Sequence, residues 1–229
     1  MHFNPFPYIR NKSDITKLVT NLIQNTNSPN IKNSSADPFW EKAEKMFLES
    51  LFLYVWMECP KAYFNTEKGK VELLQQNWKS ILFLLDEAQF LDNDTSPKLD
   101  ERMNELARKK PDHPAVKAYQ RYRGGPDDTI RSVIMTVNAR MQPFDNEELL
   151  EIFSSNDIPL DEFGTGIDGD GKTKSNLFII IPDDDDTFNF VPGMVYTMLF
   201  QELYRQARFF GGKLPMDVGF WLDEMANIK

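Results

Sequence analysis

Two stretches of this chain have the residue types and spacing of phosphate chemistry. GIDGDGKT, Gly166–Thr173, fits G-x-x-x-x-G-K-[ST]. In that pattern backbone amides cradle phosphates, a lysine (here Lys172) reaches the outer phosphates, and a hydroxyl (Thr173) meets Mg²⁺. VGFWLDE, 218–224, is an apolar run ending in adjacent carboxylates, the form of a Walker B strand. There Asp223 would hold Mg²⁺ through water, and Glu224 would orient or deprotonate the water that attacks a γ-phosphate. The plainer alternative is a strand end carrying two solvated acids.

Three further stretches compete for chemistry. ILFLLDEAQ, Ile81–Gln89, repeats the Walker B pattern, but its apolar residues continue a helical face, which predicts a helix. IPDDDDTFNF, Ile181–Phe190, gathers four aspartates. They repel one another, and the bland reading is a solvated turn before a helix N-terminus, where acids are favourable. QRYRGG, Gln120–Gly125, interleaves base and aromatic, with Lys109, Lys110, Arg131 and Arg140 as further cations. Arg121, Tyr122 and Arg123 are therefore candidates for meeting nucleic acid or an acidic partner, against the alternative of an ordinary solvated helix surface. Two histidines and the single Cys59 leave little scope for a zinc cage, an internal disulfide or a Ser-His-Asp site.

The elements around these motifs decide between them. A P-loop needs a strand entering and a helix leaving, so that amides and the helix N-terminus face the phosphates. Before Gly166 lies SSNDIPLDEFGT, and after Thr173 comes KSNLFIII, so the order is reversed. Asp168 and Asp170 would also repel phosphate. GIDGDGKT is expected to be a polar loop leading into a strand. LFIII, Leu177–Ile181, reads as a fully buried strand, 195–207 as an amphipathic helix stopped at Gly211-Gly212, and MDVGFWL as a second buried strand. Strand, helix, strand predicts a parallel sheet with a right-handed crossover.

Upstream, the pattern is helical. A capped helix is expected from Ser13 over Ile15–Ile23, then a polar linker at Asn25–Asp37. More helices are expected from Asp37-Pro38 to Cys59, from Val71 to Leu85, through Leu99–Leu106, from His113 to Gly124, through Ile130–Met141, and from Asp145 to Phe153. At 229 residues, 41% hydrophobic and 27% charged, the chain reads as globular, and no apolar run is long enough to span a membrane. The net charge of -9 means that any nucleic-acid contact must be local or shared with partner subunits.

With these pieces placed, HFNPFPYIR, SDITKLVTNLIQNTN and DPFWEKAEKMFLESLFLYVW resemble the conjugative type IV secretion coupling proteins of the TraG/TraD class. LFIIIPDDDDTFNFVPGMVYTMLFQELYRQA and GFWLDEMANI resemble later segments of the same family. The resemblance implies a mixed, mainly helical fold: an all-α substrate-recognition domain at 37–158, inserted into a partial RecA-like parallel α/β motor core. Residues 1–36 would be a motor-core segment and linker, and 159–229 a motor βαβ segment ending at Walker B. It further implies a membrane-anchored, hexameric ATPase using ATP and Mg²⁺. Such a motor recruits relaxase- or relaxosome-bound DNA, or protein substrates, and passes them to the secretion channel; single-stranded DNA is a further candidate partner of the full motor. The family's Walker A lies upstream of the FNPF segment, and Lys229 stands where Gly is usual. The expectation is therefore an excised, monomeric, cytoplasmic piece of a longer protein, carrying recognition rather than turnover. The rival expectations are a stand-alone helical adaptor that binds a secretion substrate without nucleotide, and a small complete NTPase using Lys172 and Thr173.

Overall fold

A computed structural model describes residues 2–26, 38–61, 74–90, 96–180 and 188–222. Among these the chain is helical: α1 (Lys12–Asn25), α2 (Pro38–Glu58), α3 (Trp78–Glu87), α4 (Lys98–Lys109), α5 (Pro114–Arg123), α6 (Asp127–Met141), α7 (Glu147–Ile152), α8 (Glu162–Thr165) and α9 (Phe190–Phe209). The mainly helical class is as expected. No described helix is long and apolar enough to cross a membrane.

Several boundaries move, each because a different side chain takes the orphan amides. Asn11, not Ser13, caps α1: its side chain accepts from the amides of Ser13 and Asp14, while Asp14 reaches back to complete a capping box. Asn146, rather than Asp145, caps α7 through the amides of Glu148 and Leu149. The helix expected from Val71 begins at Trp78, because Asn77 accepts from the Ser80 amide and starts it there. ILFLLDEAQ lies in α3, as its periodicity predicts, and Glu87 forms a two-bond fork with Arg102 at 2.6 and 2.7 Å.

The parallel α/β motor core expected over 159–229 is not seen: no strand forms among the described residues, and 181–187 and 223–229 lie outside them. Among the described residues, 174–180 and 217–222 make no backbone–backbone hydrogen bond. A strand exists only through a hydrogen-bonded neighbour, and these two segments do not pair with each other. Nor is 177–180 fully buried. Leu177 and Ile179 pack on the core, whereas Phe178 and Ile180 are 81% and 92% exposed. Burial has the period of two that a strand has, but only one face is covered.

α2 is the central post, packing against α1, α3, α5 and α6. Its Phe47, Leu48, Leu51, Phe52 and Val55 are solvent-free. Trp78 anchors an aromatic cluster, with ring centroids 5.3 Å from Phe52, 4.6 Å from Phe144 and 5.0 Å from Phe153. Phe3 and Phe6 from the N-terminal segment and Phe190 from α9 join the same rings. One continuous core therefore includes α1, α2–α7 and α9. Its entry and exit segments are laced together. The Phe3 amide donates to the Ile152 carbonyl, Asn4 Nδ2 to the Gln76 carbonyl, and the Tyr8 hydroxyl to the Ile158 carbonyl.

Candidate functional site

Asp161 to Thr173 holds the first candidate. α8 ends at Gly166, which takes φ 86° and ψ 161°, and a 3-10 turn comes next over Ile167–Gly169. Each backbone N–H from Ile167 to Thr173 is already taken. Ile167 donates to the Thr173 carbonyl, Gly169 to Gly166, Asp170 to Ile167 and Gly171 to Thr165. Asp168 reaches Glu162 at 3.4 Å, and Lys172 and Thr173 both donate to Asp170 Oδ1, at 2.8 and 2.9 Å. The Thr173 hydroxyl also donates to Asp170. The Asp170 carboxyl is held below its usual range, first by that hydroxyl and then by the two amides.

This is a loop wound around its own carboxylate. A phosphate would have to displace Asp170 and break the loop's internal bonds, at a point where negative charge already sits. No helix leaves the loop either, since residues 174–180 are not helical. The described residues therefore do not fit a nucleotide phosphate, and no chemistry is assigned to Lys172 or Thr173.

Asp223 and Glu224 lie outside the described residues, as do the four aspartates of IPDDDDTFNF. No group of three or more His, Cys, Asp or Glu poised for a metal occurs among the described residues. A pocket of about 330 Å³ opens between α7, the Phe178–Ile180 segment and the start of α9, lined mainly by Phe3, Ile152, Phe178, Ile180 and Pro192. Its apolar walls and the Glu148 carboxylate offer no cation to a phosphate.

The helical candidates separate by exposure. Arg121 is exposed on α5, whereas Tyr122 is 4% exposed, stacked on Phe47 at 4.6 Å and donating its hydroxyl to the Ile130 carbonyl. Burial pushes the Tyr122 phenol well above its ordinary pKa. Arg123 donates to Asp100 at 2.9 Å, and the Tyr119 hydroxyl holds the other oxygen of that carboxylate at 2.7 Å. Arg140 pairs with Glu44 at 2.7 Å and caps α1 through the Ile23 carbonyl, and Lys110 pairs with Glu58. Arg131 lies 3.8 Å above the Phe90 ring. Of the QRYRGG trio, the structure presents only Arg121 openly to solvent.

His113 is 6% exposed at the N-cap of α5, where its Nδ1 accepts the Ala115 amide. Its Nε2 lies 3.0 Å from Glu58 Oε1. Burial lowers the imidazole pKa, and Glu58 opposes that shift. Burial likewise pushes the Cys59 thiol up to about 12, so it is an inert core group.

One cluster has no counterpart among the sequence candidates. At the end of α9, Tyr204, Phe209 and Phe210 are 68%, 77% and 53% exposed, with Arg208 and Lys213 beside them in the chain. YRQARFFGGK carries the same interleaving of base and aromatic that marks QRYRGG. Its helical period and glycine stop account for it so fully in sequence that the signal is easily passed over.

Against known proteins, the chain matches the family model for type IV secretory system conjugative DNA transfer, over residues 1–228. No curated protein and no solved structure matches it.

Proposed function

Because this chain belongs to the type IV secretory conjugative DNA transfer family, we propose that it works as part of a coupling ATPase. In this reading the helical domain at 37–158 recruits relaxase-bound DNA or protein substrates, and the assembled motor delivers them to the transfer channel. The observation that supports it best is the pair of apolar segments at 174–180 and 217–222, whose backbones have no partner among the described residues. They have the apolar content of motor strands, and further RecA-like strands would complete the sheet. Asp223 as the Mg²⁺ ligand through water and Glu224 as the residue facing the attacking water belong to that assembled, hexameric, membrane-anchored motor, with 37–158 on its cytoplasmic side.

Turnover is not assigned to this chain alone, because the GIDGDGKT amides are committed to its own carbonyls and carboxylates. The test is binding of a fluorescent ATP analogue with Mg²⁺ to the chain and to Lys172→Ala. Neither should bind. Tight binding lost in the variant would overturn the reading of the loop. Capture of a relaxase by the chain, reduced by charge reversal at Arg121, tests the recognition role. Unchanged capture would move the recognition surface elsewhere.

A further inference from the structure

We propose that the C-terminal end of α9 and the turn after it form a single-stranded nucleic-acid contact, made by Tyr204, Arg208, Phe209, Phe210 and Lys213. It rests on the DNA-transfer reading above, but it names a surface that reading does not supply. Residues 203–216 carry three cations and no Asp or Glu, in a chain whose net charge is -9. Charge here runs against the molecule as a whole, which is the local concentration a nucleic-acid contact on an acidic protein requires.

The geometry keeps these groups free. Tyr204 and Arg208 are four apart on one helical face, and Arg205 and Phe209 are four apart on the adjoining one. Arg205 is committed: it forks onto the buried Glu202 carboxylate, neutralising it, and lies 5.9 Å from the Phe209 ring centroid. The side chains of Arg208 and Lys213 make no hydrogen bond or ion pair among the described residues. The helix closes tightly behind them, with the Phe210 amide donating to the Gln206 and Ala207 carbonyls and the Gly212 amide to Ala207. Gly211 and Gly212 take φ of 74° and 101°, which turns the chain back and leaves Phe209, Phe210 and Lys213 at the tip.

Open rings between unpaired cations suit a strand whose bases stack while its phosphates meet the guanidinium and ammonium. Aromatic and arginine side chains also mark protein-binding hot spots; the unpaired positive charge of Arg208 and Lys213, with no acid between 203 and 216, is what favours a polyanion here. A duplex keeps its bases stacked inside, out of reach of these rings, so the surface should prefer single strands.

The experiment is fluorescence anisotropy of a labelled oligo-dT of about 20 nucleotides with this chain at about 50 mM salt. Saturable binding is expected, weaker for a duplex of equal length and weaker again at about 200 mM salt. R208E/K213E and Y204S/F209S/F210S should each reduce affinity by at least about tenfold. F178S/I180S, which removes exposed apolar groups elsewhere, should bind like the wild type, and far-ultraviolet circular dichroism should show every variant equally helical. Absence of wild-type binding, equal binding of duplex, or wild-type affinity in either patch variant overturns the proposal. Those outcomes leave the coupling-protein reading standing, since relaxase capture and nucleotide binding test it separately. Normal DNA binding by patch variants that lose association with other motor segments would make this a protein contact and overturn it too.

Discussion

Within Gly166–Thr173, Asp170 accepts the amides of Lys172 and Thr173, and Gly166 supplies a backbone conformation open essentially only to glycine. A Cβ at Gly166 would sit 2.3 Å from Asp170 Oδ1 and 2.8 Å from the Gly171 nitrogen. Gly166→Ala should therefore cost about 1–3 kcal/mol. Gly169→Ala, at φ 74° but with nothing within 4 Å, should cost less. Urea midpoints of the two variants check this, and equal shifts would mean that the Asp170-centred turn is not what holds Gly166. His113 gives a pH test. Its folded pKa lies below the unfolded value, so the unfolded state binds more protons as pH falls. The stability it contributes is fully present above the unfolded pKa of about 6.5 and is lost as pH falls from there through the lowered folded value. His113→Asn keeps a cap acceptor and removes the titration. Between about pH 7.5 and 5.5 the wild type should lose stability that the variant keeps. Parallel pH profiles would show that folding does not lower the imidazole pKa.

Among the elements, α2 and α3 carry the core that positions everything else. Trp78 is solvent-free and touches rings from α2, the turn before α7 and the turn after it. Trp78→Ala should cost about 3–5 kcal/mol, read from chemical denaturation. The Arg140–Glu44 pair ties α6 to α2, with side chains 10% and 6% exposed, and also closes the C-terminus of α1. Arg140→Met strands a buried carboxylate and should cost about 3–5 kcal/mol. Adding Glu44→Gln should recover part of that loss. No recovery in the double variant would place the cost in the lost α1 cap rather than in the stranded charge. The α9 tip is different, because its rings lie outside the core and their removal should leave the melting temperature nearly unchanged.

At the scale of the whole molecule, apolar side chains are left in water at Phe178, Ile180 and Trp221, with exposures of 81%, 92% and 90%. Phe178 and Ile180 sit on a backbone segment without hydrogen-bonded neighbours among the described residues, the arrangement that invites pairing with another chain. F178K/I180K should change stability by no more than about 0.5 kcal/mol, because neither side chain is packed. It should nevertheless reduce concentration-dependent association measured by light scattering. A large loss of stability would show that this face is already covered. The same scale explains the charge pattern, in which an acidic chain keeps acid-free cationic stretches at 113–126, where Arg123 is paired with Asp100, and at 203–216, where Arg208 and Lys213 have no ion-pair partner among the described residues.

The helical half was readable because burial alone fixes it. Leu99, Met103 and Leu106, or Ile130, Val133, Ile134, Val137 and Met141, recur at the helical period, and all of them are buried. GIDGDGKT was legible as a polar loop without a helix leaving it, although the strand expected after it does not form among the described residues. Cap choice was less legible, since Asn11, Asn77 and Asn146 each compete with a nearby residue of similar chemistry, and only the local geometry decides. The strands were not legible, because apolar, β-rich composition states a preference for a sheet, while a sheet requires a second strand in register. Tyr122 and Arg121 are neighbours of similar promise in sequence, yet one lies in the core and the other in water. By itself the sequence determined the amphipathic helices, most of their buried faces and the family, through periodic burial and shared segments. The tertiary structure decided which amides, rings and cations remain free, because that depends on which residues distant in the chain have already taken them.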